Sequence, residues 1–185
     1  MDLIGYHGTS AENESSIVSG NFNVSANDDE WLGTGAYFFI HGISDPEDDA
    51  RRWAVVQAYD NKKKQNKYDK YVVLKAEISV DSALELDTNE GLNAFNSYRD
   101  GIIELMRRNR LKLNKSLLQN DCLICNLLMD KSGFDAIIRK EFIKFDSYIR
   151  KIRYQSRIPN CRIMSVRNPN TSVHNSIQVT KRGDV

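Results

Sequence analysis

Two short stretches carry residue types that could do chemistry together. Tyr6-His7-Gly8-Thr9 places an imidazole, a backbone position without a side chain and a hydroxyl in succession, just after the apolar pair Leu3-Ile4. A neutral imidazole donates one hydrogen bond and accepts another, and Gly8 leaves the main chain open to a flat polar group. Further on, Trp31-Leu32-Gly33-Thr34-Gly35-Ala36-Tyr37-Phe38-Phe39 runs a Gly-x-Gly turn into an aromatic segment. Together they imply a slot lined by an imidazole, exposed backbone and flat rings, suited to a dinucleotide used as a substrate. Each stretch alone is ordinary: His-Gly-Thr is a common turn, and this Gly-x-Gly does not open a helix as a Rossmann loop does. The weight lies in their order and spacing.

The elements that must position these residues can be read from local pattern. Leu3–Gly8 is expected to be a short strand ending in a glycine turn. Ser10 is a natural N-cap, with Glu12 and Glu14 in the first turn, Ile17-Val18 facing inward and Gly20 as the stop. Residues 23–30 are polar and acidic, hence loop. Gly33 and Gly35 permit a tight bend or close backbone approach, and Ala36–Ile40 has the composition of a buried strand. Pro46 suits the first position of a helix that carries Ala50, Trp53, Ala54 and Ala58 at three-to-four-residue spacing, with Glu47, Asp48 and Asp49 favourably placed for its dipole. Residues 61–70 read as a charged loop and 71–80 as the clearest strand. Leu84–Asp87 adds a short extended piece. Residues 91–129 look helical, with one apolar cluster at Ile102, Ile103, Leu105 and Met106 and another at Leu117, Leu118, Ile124, Leu127 and Leu128. Phe134–Ile138, Arg162–Val166 and Ser176–Val179 are expected as late strands before a frayed tail.

At 185 residues and 41% apolar content, the chain fits one domain with a substantial core. No apolar run is long enough for a membrane span, the start lacks a signal-peptide pattern, and three cysteines fit a reducing compartment, so a cytoplasmic protein is expected. The net charge of +1 conceals a polarity: residues 1–60 hold 2 Lys/Arg against 11 Asp/Glu, and residues 104–185 hold 17 against 7. Such a division suggests that one face meets an anionic partner. Cys122 and Cys125 form a lone Cys-x-x-Cys in an apolar helix with no second pair, so buried thiols are expected and metal is not.

In order and spacing, Tyr6-His7-Gly8-Thr9, Gly33-Thr34-Gly35-Ala36-Tyr37-Phe38 and Ala50-Arg51-Arg52-Trp53-Ala54 resemble successive motifs of ADP-ribosyltransferases of the diphtheria-toxin and poly(ADP-ribose) polymerase type. The segments 71–80, 84–87 and 133–137 resemble bacterial members. The resemblance implies an α+β fold, with a split, mostly antiparallel sheet and flanking helices, one domain over 1–185 with a helical insertion at about 91–131. It implies NAD⁺ as a substrate and no metal. By position, His7 would bond the adenosine ribose, Gly8 would offer its N–H and C=O to the nicotinamide amide, and Thr9 would touch the nearby ribose. Gly35 would approach the dinucleotide, and Tyr37 would lie under the nicotinamide with Trp53 as a second ring. Aromatic faces attract this cationic base, and cleavage of the glycosidic bond passes through an oxocarbenium-like centre.

One departure stands out. Active members often carry Glu on the strand that here reads Cys161-Arg162-Ile163-Met164-Ser165-Val166, and the best register puts Arg162 there. Arginine stays protonated and is no general base. Either the enzyme is a mono-ADP-ribosyltransferase without the Glu, or Glu141 or Asp146 reaches in, or the protein binds NAD⁺ without reacting. The first is preferred, with Arg162 contacting a phosphate or the acceptor. Residues 139–167 alternate bases with Phe142, Phe145, Tyr148 and Tyr154, a pattern that suits single-stranded nucleic acid. The expectation is therefore transfer of ADP-ribose to a macromolecule, with nucleic acid, RNA above all, slightly ahead of protein. A toxin or defence effector fits the small size, and the acidic and basic halves leave room for a neutralising antitoxin partner. The alternatives are a silent NAD⁺ or ADP-ribose reader, and a basic RNA-binding module whose front motifs are coincidental.

Overall fold

The computed structural model describes residues 1–112, 116–174 and 177–185. Strand β1 (Asp2–Ser10) ends where the Ser10 hydroxyl accepts the Glu12 N–H and starts a single 3-10 turn, followed by helix α1 (Glu14–Gly20). A long loop leads to β2 (Ala36–Ile40) and then α2 (Pro46–Ala58), which Asp45 caps and Pro46 opens as its composition requires. A small hairpin, β3 (Tyr59–Asp60) with β4 (Gln65–Asn66), precedes β5 (Lys70–Ser79) and β6 (Ala83–Glu85). Helix α3 (Asn89–Arg108) starts at a Thr88 cap. Helix α4 (Leu117–Ser132) starts at a Ser116–Gln119 capping box and stops at left-handed Gly133. The chain closes with β7 (Ala136–Glu141), α5 (Ser147–Lys151), β8 (Cys161–Val166), α6 (Pro169–Ser172) and β9 (Gln178–Asp184).

Seven strands form one sheet in the order β6-β7-β8-β2-β1-β5-β9, antiparallel except for the β6–β7 pair. The fold is thus mixed α+β around a large, mostly antiparallel sheet. Period-2 alternation divides its side chains between two cores. One, with Phe39, Val73, Ile137 and Ile163, packs under α2 and α4; the other, with Phe38, Val72, Leu74 and Met164, packs against Ile17 of α1 and Phe22. Helix α2 lies very close to β1: a Cβ added at Gly8 would collide with the Ala50 carbonyl.

Several expectations change. Residues 61–70 are not plain loop, because the β3–β4 hairpin turns through them at Lys64, whose φ is +55°. The tail is not frayed: β9 pairs with β5 from Lys75↔Gln178 to Lys70↔Asp184 and forms a sheet edge. Val18 turns outward while Ile17 is buried, and Ile103, Leu105 and Leu117 are exposed rather than packed. Within the stretch read as helical, residues 113–115 lie outside the described residues, as does Ser176 of the expected last strand.

Candidate functional site

The site begins where the sheet opens. Met1 and Val80 exchange both backbone hydrogen bonds, at 2.6 and 3.0 Å, and the β1–β5 register runs unbroken from Asp2↔Ser79 to Ser10↔Tyr71. Bonded and non-bonded pairs alternate in an antiparallel ladder, so the odd residues of β1 aim their polar groups at β5 and the even ones at β2. On the β2 side the pairing is confined to Gly5↔Ile40 and Tyr6↔Phe39. Continued, it would set Gly8 opposite Tyr37. Instead the strands part, and the Tyr37 carbonyl meets His7 Nδ1 at 2.8 Å. The N–H and C=O of Gly8 therefore face the gap.

That bond fixes the tautomer of His7. A carbonyl only accepts, so Nδ1 carries the proton and Nε2 keeps its lone pair. Burial, partly countered by the Tyr37 carbonyl, pushes the imidazole below its ordinary pKa, which keeps the ring neutral at neutral pH. The edges of Phe22 and Phe38, at centroid distances of 5.2 and 6.1 Å, hold the ring in orientation.

A cavity of about 590 Å³ opens at this gap. His7 and Gly8 of β1, Tyr37 to Phe39 of β2, Gly35, Trp53 and Gln57 of α2, and Ile163 of β8 form one part of its lining. The other part is the loop after α1, which contributes Asn23, Ser25, Asn27, Asp29, Glu30 and Trp31. All lining residues except Ile163 come from residues 7–57, the acidic part of the chain, and among the described residues the lining contains Asp29 and Glu30 but no Lys or Arg. Glu30 Oε1 accepts from Asn27 Nδ2 at 2.7 Å and from the Ser25 hydroxyl, so this carboxylate is held in place.

The loop is pinned from two sides. The Tyr37 hydroxyl accepts the Leu32 N–H at 2.8 Å and donates to the Gly33 carbonyl at 2.7 Å. Burial raises its pKa, so it remains a neutral phenol. From α4, Asn126 Oδ1 accepts the Thr34 N–H at 2.6 Å. Gly33 is left-handed at φ +76°, and an added Cβ would run into that same Asn126 side chain. Gly35 pairs its backbone with Ser25 at 2.9 and 3.0 Å, and a Cβ there would meet Ser165.

The structure brings His7, Gly8, Gly35, Tyr37 and Trp53 to one cavity. It does not bring Thr9 or Arg162 there. Thr9 Oγ1 accepts from Asn13 Nδ2 at 2.9 Å beside the 3-10 turn. The Arg162 guanidinium is held by Glu85 and Asp87, each at 2.7 Å, and its stem lies against Gly42. The cavity-facing neighbour on β8 is Ile163. Neither Glu141 nor Asp146 lines the cavity: Glu141 pairs with Arg139, and Asp146 caps α5. The ring packed on Trp53 is Trp31, at 5.2 Å, with the Arg150 guanidinium 5.5 Å from the Trp53 ring.

Sequence reasoning missed Trp31 as a partner for Trp53, the polar wall from Asn23 to Glu30, and Asn126. A loop with two amides, a serine and adjacent acids was the available signal for the wall. Nothing local marks Asn126, which lies 92 residues from its partner. Cys122 and Cys125 are buried on α4, burial pushes the Cys125 thiol up to about 12, and no group of three metal-ligating side chains occurs among the described residues. No helix among them is long and apolar enough to cross a membrane. No protein-family model matches the chain, and no curated protein matches it.

Proposed function

We propose that the cavity binds NAD⁺ and that the protein is a mono-ADP-ribosyltransferase, with a sheet of the ADP-ribosyltransferase type. The observation that carries this reading is the parting of β1 from β2 at Gly8 and Tyr37, with His7 Nδ1 on the Tyr37 carbonyl. It turns one N–H and one C=O of the main chain toward the gap, the complement of a flat primary amide such as that of nicotinamide. The lone pair of His7 Nε2 accepts a ribose hydroxyl. The ring of Tyr37 supplies a face for the pyridinium, and the Asp29 and Glu30 carboxylates give a field that favours a cation.

In the proposed reaction the bond between nicotinamide N1 and ribose C1′ breaks, and its electron pair leaves with neutral nicotinamide. The oxocarbenium-like centre at C1′ is then attacked by a nucleophilic atom of a macromolecular acceptor, which loses a proton. Position and charge stabilisation carry most of this chemistry. Thr9 and Arg162 have no part in it. An aliphatic Ile163 at the β8 position offers no base to activate water. That supports transfer to a bound acceptor over hydrolysis, and a single transfer over polymer formation.

Ile163 also favours a second reading, a module that holds NAD⁺ or ADP-ribose without reacting. Incubation with adenine-labelled NAD⁺ and RNA, DNA or cell lysate decides between the two. Label transfer with release of nicotinamide, lost in Tyr37→Ala, is the expected result; saturable NAD⁺ binding without turnover selects the reader. Absence of NAD⁺ binding overturns both. A cytoplasmic toxin or defence effector with a protein antitoxin is the biological setting we propose. It is tested by the growth of a host expressing the wild type against one expressing Tyr37→Ala.

A further inference from the structure

Two basic segments outside the cavity gather unpaired cations next to exposed rings. Eight arginines elsewhere each lie against a carboxylate. In residues 142–158, by contrast, Lys144, Lys151, Arg153 and Arg157 form no ion pair among the described residues. The single acid of that segment, Asp146, has its carboxylate occupied by the N–H groups of Tyr148 and Ile149, at 2.8 and 3.0 Å. The β3–β4 hairpin repeats the arrangement. Lys62, Lys63, Lys64 and Lys67 are exposed and unpaired among the described residues, while Asp60 caps the N–H groups of Lys62 and Lys63 at 2.8 and 3.0 Å. In both places the acid is turned onto backbone and the cations are left to solvent.

Both segments are anchored on the end of α2 that lines the cavity. The hairpin follows Ala58 directly, and Lys67 N–H bonds the Ala58 carbonyl at 2.6 Å. Arg150 donates to the Val56 carbonyl at 3.3 Å and lies over Trp53, a cavity wall. Large rings stand among the free cations: Tyr148 is 66% exposed, Tyr154 52% and Tyr59 47%.

We propose that this face, the β3–β4 hairpin together with residues 142–158, binds single-stranded RNA. Unpaired cations track phosphates, and exposed rings stack unpaired bases. A duplex hides its bases from such rings, and an acidic peptide gains nothing from them. Unpaired bases are the ordinary state of RNA loops and ends. On the reading of the cavity as an NAD⁺ site, the bound strand is the acceptor, led to the cavity mouth past Trp53 and Gln57.

The test is fluorescence anisotropy of the whole protein with a labelled, unstructured RNA, without NAD⁺. If about six of the free cations reach phosphates, log affinity falls with log salt at a slope of about −4. Tyr148→Ala weakens binding about tenfold, and the triple change Lys62→Ala, Lys63→Ala and Lys64→Ala makes the slope shallower by about 2. All four side chains are exposed, and unchanged thermal midpoints show that the fold is kept. His7→Ala retains RNA affinity and loses nicotinamide release, which separates the two surfaces. Equal affinity for duplex, tighter binding of single-stranded DNA, displacement by an equally charged acidic peptide, or an unaltered Tyr148→Ala each overturns the proposal. If RNA binds as described but no nicotinamide is ever released, the donor-site reading fails and the RNA surface stands.

Discussion

Removing one oxygen atom, in Tyr37→Phe, separates the two jobs assigned to Tyr37. The ring stays, so any face offered to a base stays with it. The hydroxyl is lost, and with it two hydrogen bonds, to the Leu32 N–H and the Gly33 carbonyl. Leu32 is fully buried, so water does not replace the lost acceptor at its N–H. A buried donor or acceptor left without a partner costs about 1–3 kcal/mol. Gly33 is buried as well; at about 1 kcal/mol for each hydrogen bond, the two losses together come to about 2 kcal/mol. For a chain of this size each kcal/mol moves the thermal midpoint by about 3 °C, which gives a drop of about 6 °C.

The functional consequence follows from where the loop sits. Residues 31–35 carry Trp31 and Gly35 into the cavity and are otherwise held by Asn126 and the Ser25–Gly35 bridge. Loosening them weakens a ligand of this cavity without removing a contact to it. We expect NAD⁺ affinity to fall about tenfold, with faster amide exchange at Leu32 and Gly35. Thermal unfolding, calorimetric titration with NAD⁺ and amide exchange measure the three effects. An unchanged midpoint together with unchanged protection of the Leu32 amide would refute the role given to the hydroxyl.

Gly8→Ala drives a Cβ into the Ala50 carbonyl, so α2 must move off β1; the soluble folded fraction should drop severely, by more than about 3 kcal/mol in unfolding free energy. The depressed pKa of His7 makes stability rise with pH. At a pH above the unfolded value both states are neutral; below it the unfolded chain takes up a proton that the native ring refuses, until the lower folded value is reached. Stability should thus fall as the pH drops below about 6.5, and His7→Asn should flatten that fall in denaturant titrations; parallel curves would reject it. Arg162→Met leaves Glu85 and Asp87 without their shared partner, and should lower stability by about 2–3 kcal/mol while NAD⁺ binding stays at the wild-type level. A selective loss of NAD⁺ binding would return Arg162 to the site.

The parts of the fold that were legible in the sequence are those written in local chemistry. Asp45 and Pro46 announce α2, Ser10 caps the turn after β1, although the strand runs through Gly8 where a glycine turn is expected, and Ala36–Ile40 has only one environment that suits it. The misread parts obey longer-range rules. Edge strand β9 sets the adjacent Lys181 and Arg182 among Thr180, Gly183 and Asp184, a composition that keeps an edge soluble and looks like a tail. Exposed Ile103, Leu105 and Leu117 show that helical apolar periodicity states what a helix is able to bury, not what it meets. At the site, His7, Gly8, Gly35, Tyr37 and Trp53 stand within two sequence motifs and the helix that follows. Asn126 and Ile163 belong to elements brought in by the sheet and α4, and only their placement in space reveals them.

The offset between Arg162 and Ile163 shows how much chemistry one residue of register controls. Neighbours on a strand face opposite sides. Arg162 therefore joins Glu85 and Asp87 while Ile163 joins Phe39 and the cavity. Placing a guanidinium at the cavity would have opposed a pyridinium with a second cation inside a wall already shaped by Asp29 and Glu30. With Ile163 there instead, the charge in the cavity lining is anionic among the described residues, and the charge of residues 142–158 is cationic apart from Asp146, which caps α5. A cationic base and a polyanionic strand would then each find a favourable field, on opposite sides of Trp53 and without competing for one site.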